Sequence, residues 1–302
     1  MKLKEYIEQK NLFNNNYITL LEIENLFKLI STNNSLYFYD NLGLKTDISN
    51  YKSNVKYILS SNPDCDFPRP KQNIMVYQDK PYNIELQEKL DNINYKEKIE
   101  TDMLNNIPAH IEKIFCHSVG IQHEKVVMIP IGRDFKNKHL FEYVENLNKK
   151  DKQNLCYYNC TLPPNIIHWY GLIRKNIYDI CVSKQFILCD YCHIHPRQYN
   201  NVITINYYKH IANSKFMICP RGCGIDTYRL WDCIYMGCIP IVEKYEGYKQ
   251  FEDLPILFID HWKEITNLTE NYLEKKWIEM LEIEYNYEKL KLSYWKSLIL
   301  NV

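Results

Sequence analysis

A chain of 302 residues, 46% apolar and 25% charged, can bury the core of one large or two medium domains, and its composition excludes wholesale disorder. Its 37 Lys and Arg balance 37 Asp and Glu, so no net charge draws it towards nucleic acid or an anionic membrane. The 26 tyrosines and only 8 glycines, with Asn, Lys and Ile in runs, suggest an AT-rich coding genome, so most tyrosines and asparagines read as fold-neutral. An odd count of 11 cysteines, beside a charged N-terminus without the apolar core of a signal peptide, favours free thiols over a disulfide framework. No stretch approaches the roughly 20 apolar residues of a membrane span, and the expectation is an unanchored, cytoplasmic protein.

The first periodic segment, Ile18 to Ile30, places Leu21, Ile23, Leu26, Phe27 and Ile30 at three- and four-residue spacings and predicts an amphipathic helix. Short apolar runs follow at Leu36–Tyr39, Val55–Ser60, Ile74–Tyr77, Ile114–Cys116 and Val126–Ile129, separated by polar stretches and helical pieces such as Ile84–Leu90. Strand and helix signals alternate, which predicts an α/β layer with a parallel sheet. The charged stretch from Phe135 to Asn154 predicts a domain boundary, giving a first domain over 1–150 and a second over 151–275. A second alternating series then runs as strand Leu155–Tyr158, helix Asn165–Asn176, strand Phe186–Leu188, helix Tyr207–Asn213, strand Phe216–Cys219, helix Thr227–Met236, and strands Ile239–Val242 and Ile256–Ile259. That rhythm predicts a second doubly wound, Rossmann-like unit. The tail from Glu270 to Leu300 reads as helical, with Tyr287, Leu290, Tyr294 and Leu298 on one face.

The segment richest in chemistry is Ser214 to Val242. A short apolar strand ends at Pro220, and Arg221-Gly222-Cys223-Gly224 then leads to a helix capped by Asp226 or Thr227. Glycines at such a turn let backbone N–H groups approach an anion, and the helix N-terminus adds partial positive charge. Arg221 and Arg229 supply guanidinium groups whose fork matches a diphosphate. Asp232 follows Arg229 by three residues, one turn further from the phosphate end, where a carboxylate can accept from ribose hydroxyls. Read bare, the same pattern is also an ordinary strand-loop-helix with two surface arginines.

The stretch from Ser214-Lys215-Phe216 through Pro220-Arg221-Gly222, Asp226-Thr227-Tyr228-Arg229-Leu230-Trp231-Asp232 and Gly237-Cys238-Ile239-Pro240-Ile241-Val242 resembles the donor domain of exostosin-like glycosyltransferases. Within them it is similar to the ribitol xylosyltransferase subgroup and related proteins of large DNA viruses, with Asp232 in place of that pattern's Glu. The similarity extends to Val127-Met128-Ile129-Pro130-Ile131-Gly132 and to Ser61-Asn62-Pro63-Asp64. The resemblance implies a GT-B fold: two Rossmann-like domains facing a cleft, with a last helix, in 276–302, crossing back to the first domain. It implies transfer of a sugar, with xylose as the subgroup's example, from a nucleotide-diphosphate sugar such as a UDP-sugar to a glycan or glycoconjugate hydroxyl. A viral member would act in the host cytoplasm. Donor binding would fall to Arg221, Gly222, Gly224, Asp226, Thr227, Arg229 and Asp232. Retaining GT-B enzymes often carry two glutamates eight apart, whereas Gly224 stands eight before Asp232, which favours inversion.

Three other constellations compete. Cys189, Cys192, His193 and His195 have metal-like spacing, yet four ligands within seven residues cannot easily surround one zinc ion, and a polar loop beside core cysteines is the plainer reading. Asp64-Cys65-Asp66 matches the Asp-x-Asp metal motif of GT-A enzymes, a triplet common by chance; alternatively Asp64 is a general base in a metal-independent enzyme. His117, near Cys116, and His123 could serve as base, although a lone histidine is more often structural. The reading adopted is a metal-independent inverting transferase with no cofactor beyond its nucleotide-sugar donor, Asp64 the first candidate base and His117 the second. A non-catalytic glycan- or sugar-nucleotide-binding relative and a zinc-dependent interaction protein are the rivals.

Overall fold

The computed structural model describes residues 1–9, 16–19, 22–23, 25–26, 36–39, 57–60, 107–120, 122–133, 152–161, 169–192, 201–222 and 224–300. Asp64, Asp66, His193 and His195, the expected strand at 74–77 and the expected boundary segment near 134–151 lie outside the described residues.

Two parallel sheets organise the chain. The first contains β1 (Leu36–Tyr39), β2 (Tyr57–Ser60), β3 (Lys113–Cys116) and β4 (Val126–Met128) in spatial order 1-2-3-4. The second contains β5 (Asn154–Thr161), β6 (Ile187–Cys192), β7 (Ser214–Ile218), β8 (Ile239–Glu243) and β9 (Leu257–Ile259), ordered β6-β5-β7-β8-β9. Among the described residues every strand pairing within the two sheets is parallel, as the alternation of strand and helix signals predicts. Parallel strands covered on both faces read as continuous apolar runs, and β7 and β8 do: Phe216, Met217, Ile218, Ile239 and Ile241 are all wholly buried.

The helices of the second half are α2 (Trp169–Cys181), α3 (Asn201–Ala212), α4 (Tyr228–Tyr235) and α5 (Glu270–Leu281), joined by α1 (Leu3–Glu8) at the start and α6 (Leu292–Leu300) at the end. In α4 six consecutive residues, Leu230 to Tyr235, are buried, so this helix is packed all round rather than along one stripe. Gly237 ends the turn after α4 in a left-handed conformation (φ 64°), and a Cβ there would meet Ile7 of α1 at 2.9 Å.

Two expectations are corrected. Ile18 and Thr19 do not begin a helix. They lie extended, with Arg133 N donating to Ile18 O at 2.9 Å and Thr19 bridging Gly132, and helix begins only past Thr19, whose Oγ1 accepts from Glu22 N at 3.2 Å. Long-range pairing with the segment after β4 overrides the local period. Likewise the tail is not one helix: α5 stops at Leu281, a 3-10 turn spans Tyr287–Leu290, and α6 follows. Between them Glu284 bridges Lys2 and Tyr285 N donates to Met1 O at 3.0 Å, so the chain start takes backbone groups that a continuous helix would use itself. Tyr287 stacks on Tyr6 with ring centroids 4.0 Å apart, and Leu292 N donates to Asn16 O. Among the described residues no helix is long and apolar enough to cross a membrane.

Candidate donor site at the strand-order reversal

In the second sheet the chain passes from β5 to β6 on one side and then crosses to β7 on the other, so strand order reverses between β5 and β7. In open parallel sheets the crevice outside the carboxyl ends of such strands receives the ligand. Here the loop after β7 is Cys219 to Thr227, the Pro-Arg-Gly segment, leading into α4.

The arginines sit at this reversal. Arg229, in the first turn of α4, has Cys160 from the end of β5 and Cys219 from the end of β7 among its electrostatic neighbours, with Tyr207 and Tyr158. Burial works against its charge, and those neighbours nevertheless hold its pKa above the ordinary arginine value. Its Nε is buried and has no hydrogen-bond partner among the described residues. A buried guanidinium N–H in this state calls for a partner beyond the described residues. Arg221 is 3% exposed, with its guanidinium carbon 5.8 Å from the Tyr245 ring centroid.

The backbone of the loop is committed to itself. Gly222 N donates to Gly224 O at 3.1 Å, and Thr227 N donates to Asp226 Oδ1 at 2.9 Å. Thr227 stands at the N-cap position of α4 in extended conformation, but its side chain makes no cap bond. Asp226 is buried, which pushes its carboxyl pKa up to about 8 against the lowering effect of three N–H groups from which it accepts: Thr227 N, Trp231 Nε1 at 2.7 Å and, from the segment after β4, Ile131 N at 2.8 Å. Asp226 N in turn donates to Ser118 Oγ at 3.2 Å, so this residue ties the Pro-Arg-Gly loop to the ends of β3 and β4. Asp232, 3% exposed, lies 3.5 Å from Arg133 Nε through Oδ1 and accepts from the Tyr207 hydroxyl at 3.3 Å through Oδ2.

His117 follows β3 directly and is wholly buried. Its Nδ1 lies 2.9 Å from Ile129 O; a carbonyl only accepts, so Nδ1 carries the proton and Nε2 the lone pair. Nε2 has no partner among the described residues, and burial lowers the pKa to about 4, so the ring is neutral at pH 7. Cys189 lies on β6, and among the described residues no group of three His, Cys, Asp or Glu side chains is placed to hold a metal ion.

Residues 86–265, more than half of the chain and spanning both β3-β4 and the whole second sheet, match the Exostosin GT47 domain. The chain belongs to the exostosin GT47 family of glycosyltransferases. No curated protein matches it. Membership in the GT47 family implies a nucleotide sugar and an acceptor as substrates. The strand-order reversal of this GT47 chain brings Arg221 and Arg229 to one end of the second sheet together with a third arginine that no sequence pattern singles out. Arg174, on α2, donates from Nε to Arg221 O at 3.0 Å.

Proposed function

We propose that the chain is an inverting glycosyltransferase that transfers a sugar, xylose in one resembling subgroup, from a UDP-sugar to a hydroxyl of a glycan or glycoconjugate. The observation that carries this reading is the buried Arg229 Nε, lacking a protein partner among the described residues, at the β5/β7 reversal of a GT47 sheet. In this reading Arg221 and Arg229 neutralise the diphosphate as it departs, where fixed cations in a water-poor site act most strongly. Because the Gly222 and Thr227 N–H groups are spent inside the loop, the guanidinium groups rather than a backbone cradle supply most of that stabilisation. Gly222 and Gly224 let the loop turn tightly, and Asp226 acts through the loop it fastens rather than by touching the donor. Asp232 is proposed for the ribose hydroxyls, sharing its acceptor positions with Arg133 and Tyr207.

The reaction is a single displacement. A base removes the acceptor hydroxyl proton, that oxygen bonds to the anomeric carbon, and the carbon–oxygen bond to the diphosphate breaks on the opposite face. The base must therefore stand across from the donor loop. β2 and β3 belong to the sheet whose β3 and β4 ends Asp226 grips, and in sequence Asp64 follows Ser60, the last residue of β2, by four positions. His117 is the weaker candidate, since its ring is wholly buried and Nε2 is shielded from an acceptor hydroxyl.

Titration calorimetry with UDP and a panel of nucleotide sugars tests the donor site. Arg221→Ala and Arg229→Ala should each weaken UDP binding by roughly 1.5–3 kcal/mol, the scale of a charged hydrogen bond. Unchanged affinity in both variants would remove this assignment, and donor binding without any transfer or hydrolysis would instead make the chain a sugar-nucleotide binder.

A further inference from the structure

We infer that Arg174 is a positioning residue for the donor diphosphate, locking the peptide between Arg221 and Gly222; this rests on the donor-site reading above. α2 follows β5 and the Pro-Arg-Gly loop follows β7, so the two elements flank the strand-order reversal from opposite sides. The turn of α2 that bears Arg174 is fixed to the sheet, because the hydroxyl of wholly buried Tyr158 on β5 donates to Arg174 O at 2.7 Å.

From that anchored turn the side chain reaches the loop backbone. Its Nε donates to Arg221 O at 3.0 Å, and Nη2 lies so close to Gly222 that a Cβ built there would be 3.1 Å away. The carbonyl of Arg221 and the N–H of Gly222 are the two ends of one planar peptide unit. Arg174 holds the first and Gly224 O the second, at 3.1 Å. With both ends held, the unit cannot rotate, and the Arg221 carbonyl cannot turn its negative end towards a bound anion. The same contact sets the starting point of the Arg221 side chain and adds a third guanidinium to the phosphate end of the site. Alanine at 222 would press its methyl on Nη2 and shift the Arg174 side chain by a few tenths of an ångström.

The experiment measures UDP affinity by calorimetry, with donor and acceptor KM, in the parent, Arg174→Ala, Arg174→Gln and Arg174→Lys. Arg174→Gln keeps the aliphatic stem and an N–H donor and covers the case in which the alanine variant fails to fold. The expected result is a rise of tenfold or more in UDP Kd and donor KM for Ala and Gln. Lys should recover part of the loss, and acceptor KM should stay within about twofold. A role confined to stability would instead lower the melting temperature and leave the UDP Kd of folded protein unchanged. A second readout is a cycle with Gly222→Ala, which should weaken UDP binding in the parent and much less in Arg174→Ala, where the clashing group is gone. UDP affinity within twofold of parent in Arg174→Ala and Arg174→Gln, or an equal Gly222→Ala effect in both backgrounds, overturns the role of Arg174 alone. Failure of the parent to bind UDP or any nucleotide sugar overturns the donor-site reading and this inference with it.

Discussion

Arg133 and Asp232 meet at 3.5 Å with side chains 0% and 4% exposed, joining the segment after β4 to the middle of α4. The Arg133 guanidinium carbon also lies 5.3 to 5.7 Å from the ring centroids of Tyr17, Tyr208 and Tyr235, so the cation sits among three aromatic faces. Removing one member strands the other in a low-dielectric setting. Arg133→Met should therefore destabilise the protein by about 3–5 kcal/mol, and Arg133→Met with Asp232→Leu should cost less than the two single changes added. Urea unfolding of the three variants measures this; strict additivity would show that the pair is not an energetic unit.

Gly132 stands beside that pair in a left-handed conformation, φ 66°, where a Cβ would lie 2.1 Å from Ile18 O. The obstruction is backbone rather than the end of a flexible side chain, so it is relieved only by parting the Ile18 segment from the Arg133 segment. Gly132→Ala is expected to cost at least the roughly 1–3 kcal/mol of a strained backbone, and to raise hydrogen exchange at Arg133 N, which donates to Ile18 O. Exchange rates equal to the parent's would mean that the two segments do not depend on this glycine.

The strands were legible because each contains a short apolar run bounded by polar or Pro-containing sequence, and Phe216-Met217-Ile218 between Lys215 and Pro220 is an example. The strand-loop-helix after β7 was legible because Pro220, Arg221, Gly222, Asp226, Thr227 and Arg229 are close in sequence. What escaped reading was long-range. Arg174 meets the carbonyl of a residue 47 positions away, and Ile131 N meets Asp226 across 95 positions. No local period records either contact, and a buried aspartate at a loop end looks alike whether it accepts from a ligand or from a distant N–H.

His117 sets an acid limit on stability. Its folded pKa, about 4, lies below the ordinary value of 6.5, because burial disfavours the imidazolium. The unfolded chain binds a proton below about pH 6.5 that the folded chain refuses until about pH 4. Stability contributed by neutral His117 is thus complete above 6.5 and is lost as pH falls through that window, on the order of 3 kcal/mol in all. His117→Gln should flatten the loss between pH 6.5 and 4 while lowering stability at neutral pH. A melting-temperature profile against pH decides it: an unchanged slope in the variant would assign the acid sensitivity to other groups.

The last prediction concerns which group takes the acceptor proton. Asp64 belongs to the Ser61-Asn62-Pro63-Asp64 segment that follows β2, and Ser60 at the end of β2 pairs with Cys116, the residue before His117. Both candidate bases thus follow neighbouring strands of the first sheet in sequence, and in the proposed reading the base acts from the face away from the diphosphate. His117 is wholly buried, which sets its Nε2 back from solvent and from an acceptor hydroxyl. Asp64→Asn should leave UDP binding as in the parent and reduce transfer by on the order of 10²–10⁴-fold, the usual contribution of a general base. His117→Gln should reduce transfer far less. If instead Asp64 and Asp66 hold a divalent ion against the diphosphate, a chelator would weaken UDP binding and abolish transfer together, and Asp64→Asn would lose donor affinity as well. Transfer rate and UDP affinity, each measured with and without chelator in the parent and both variants, separate these cases. Full transfer by Asp64→Asn with loss in His117→Gln would move the base to Nε2 of His117.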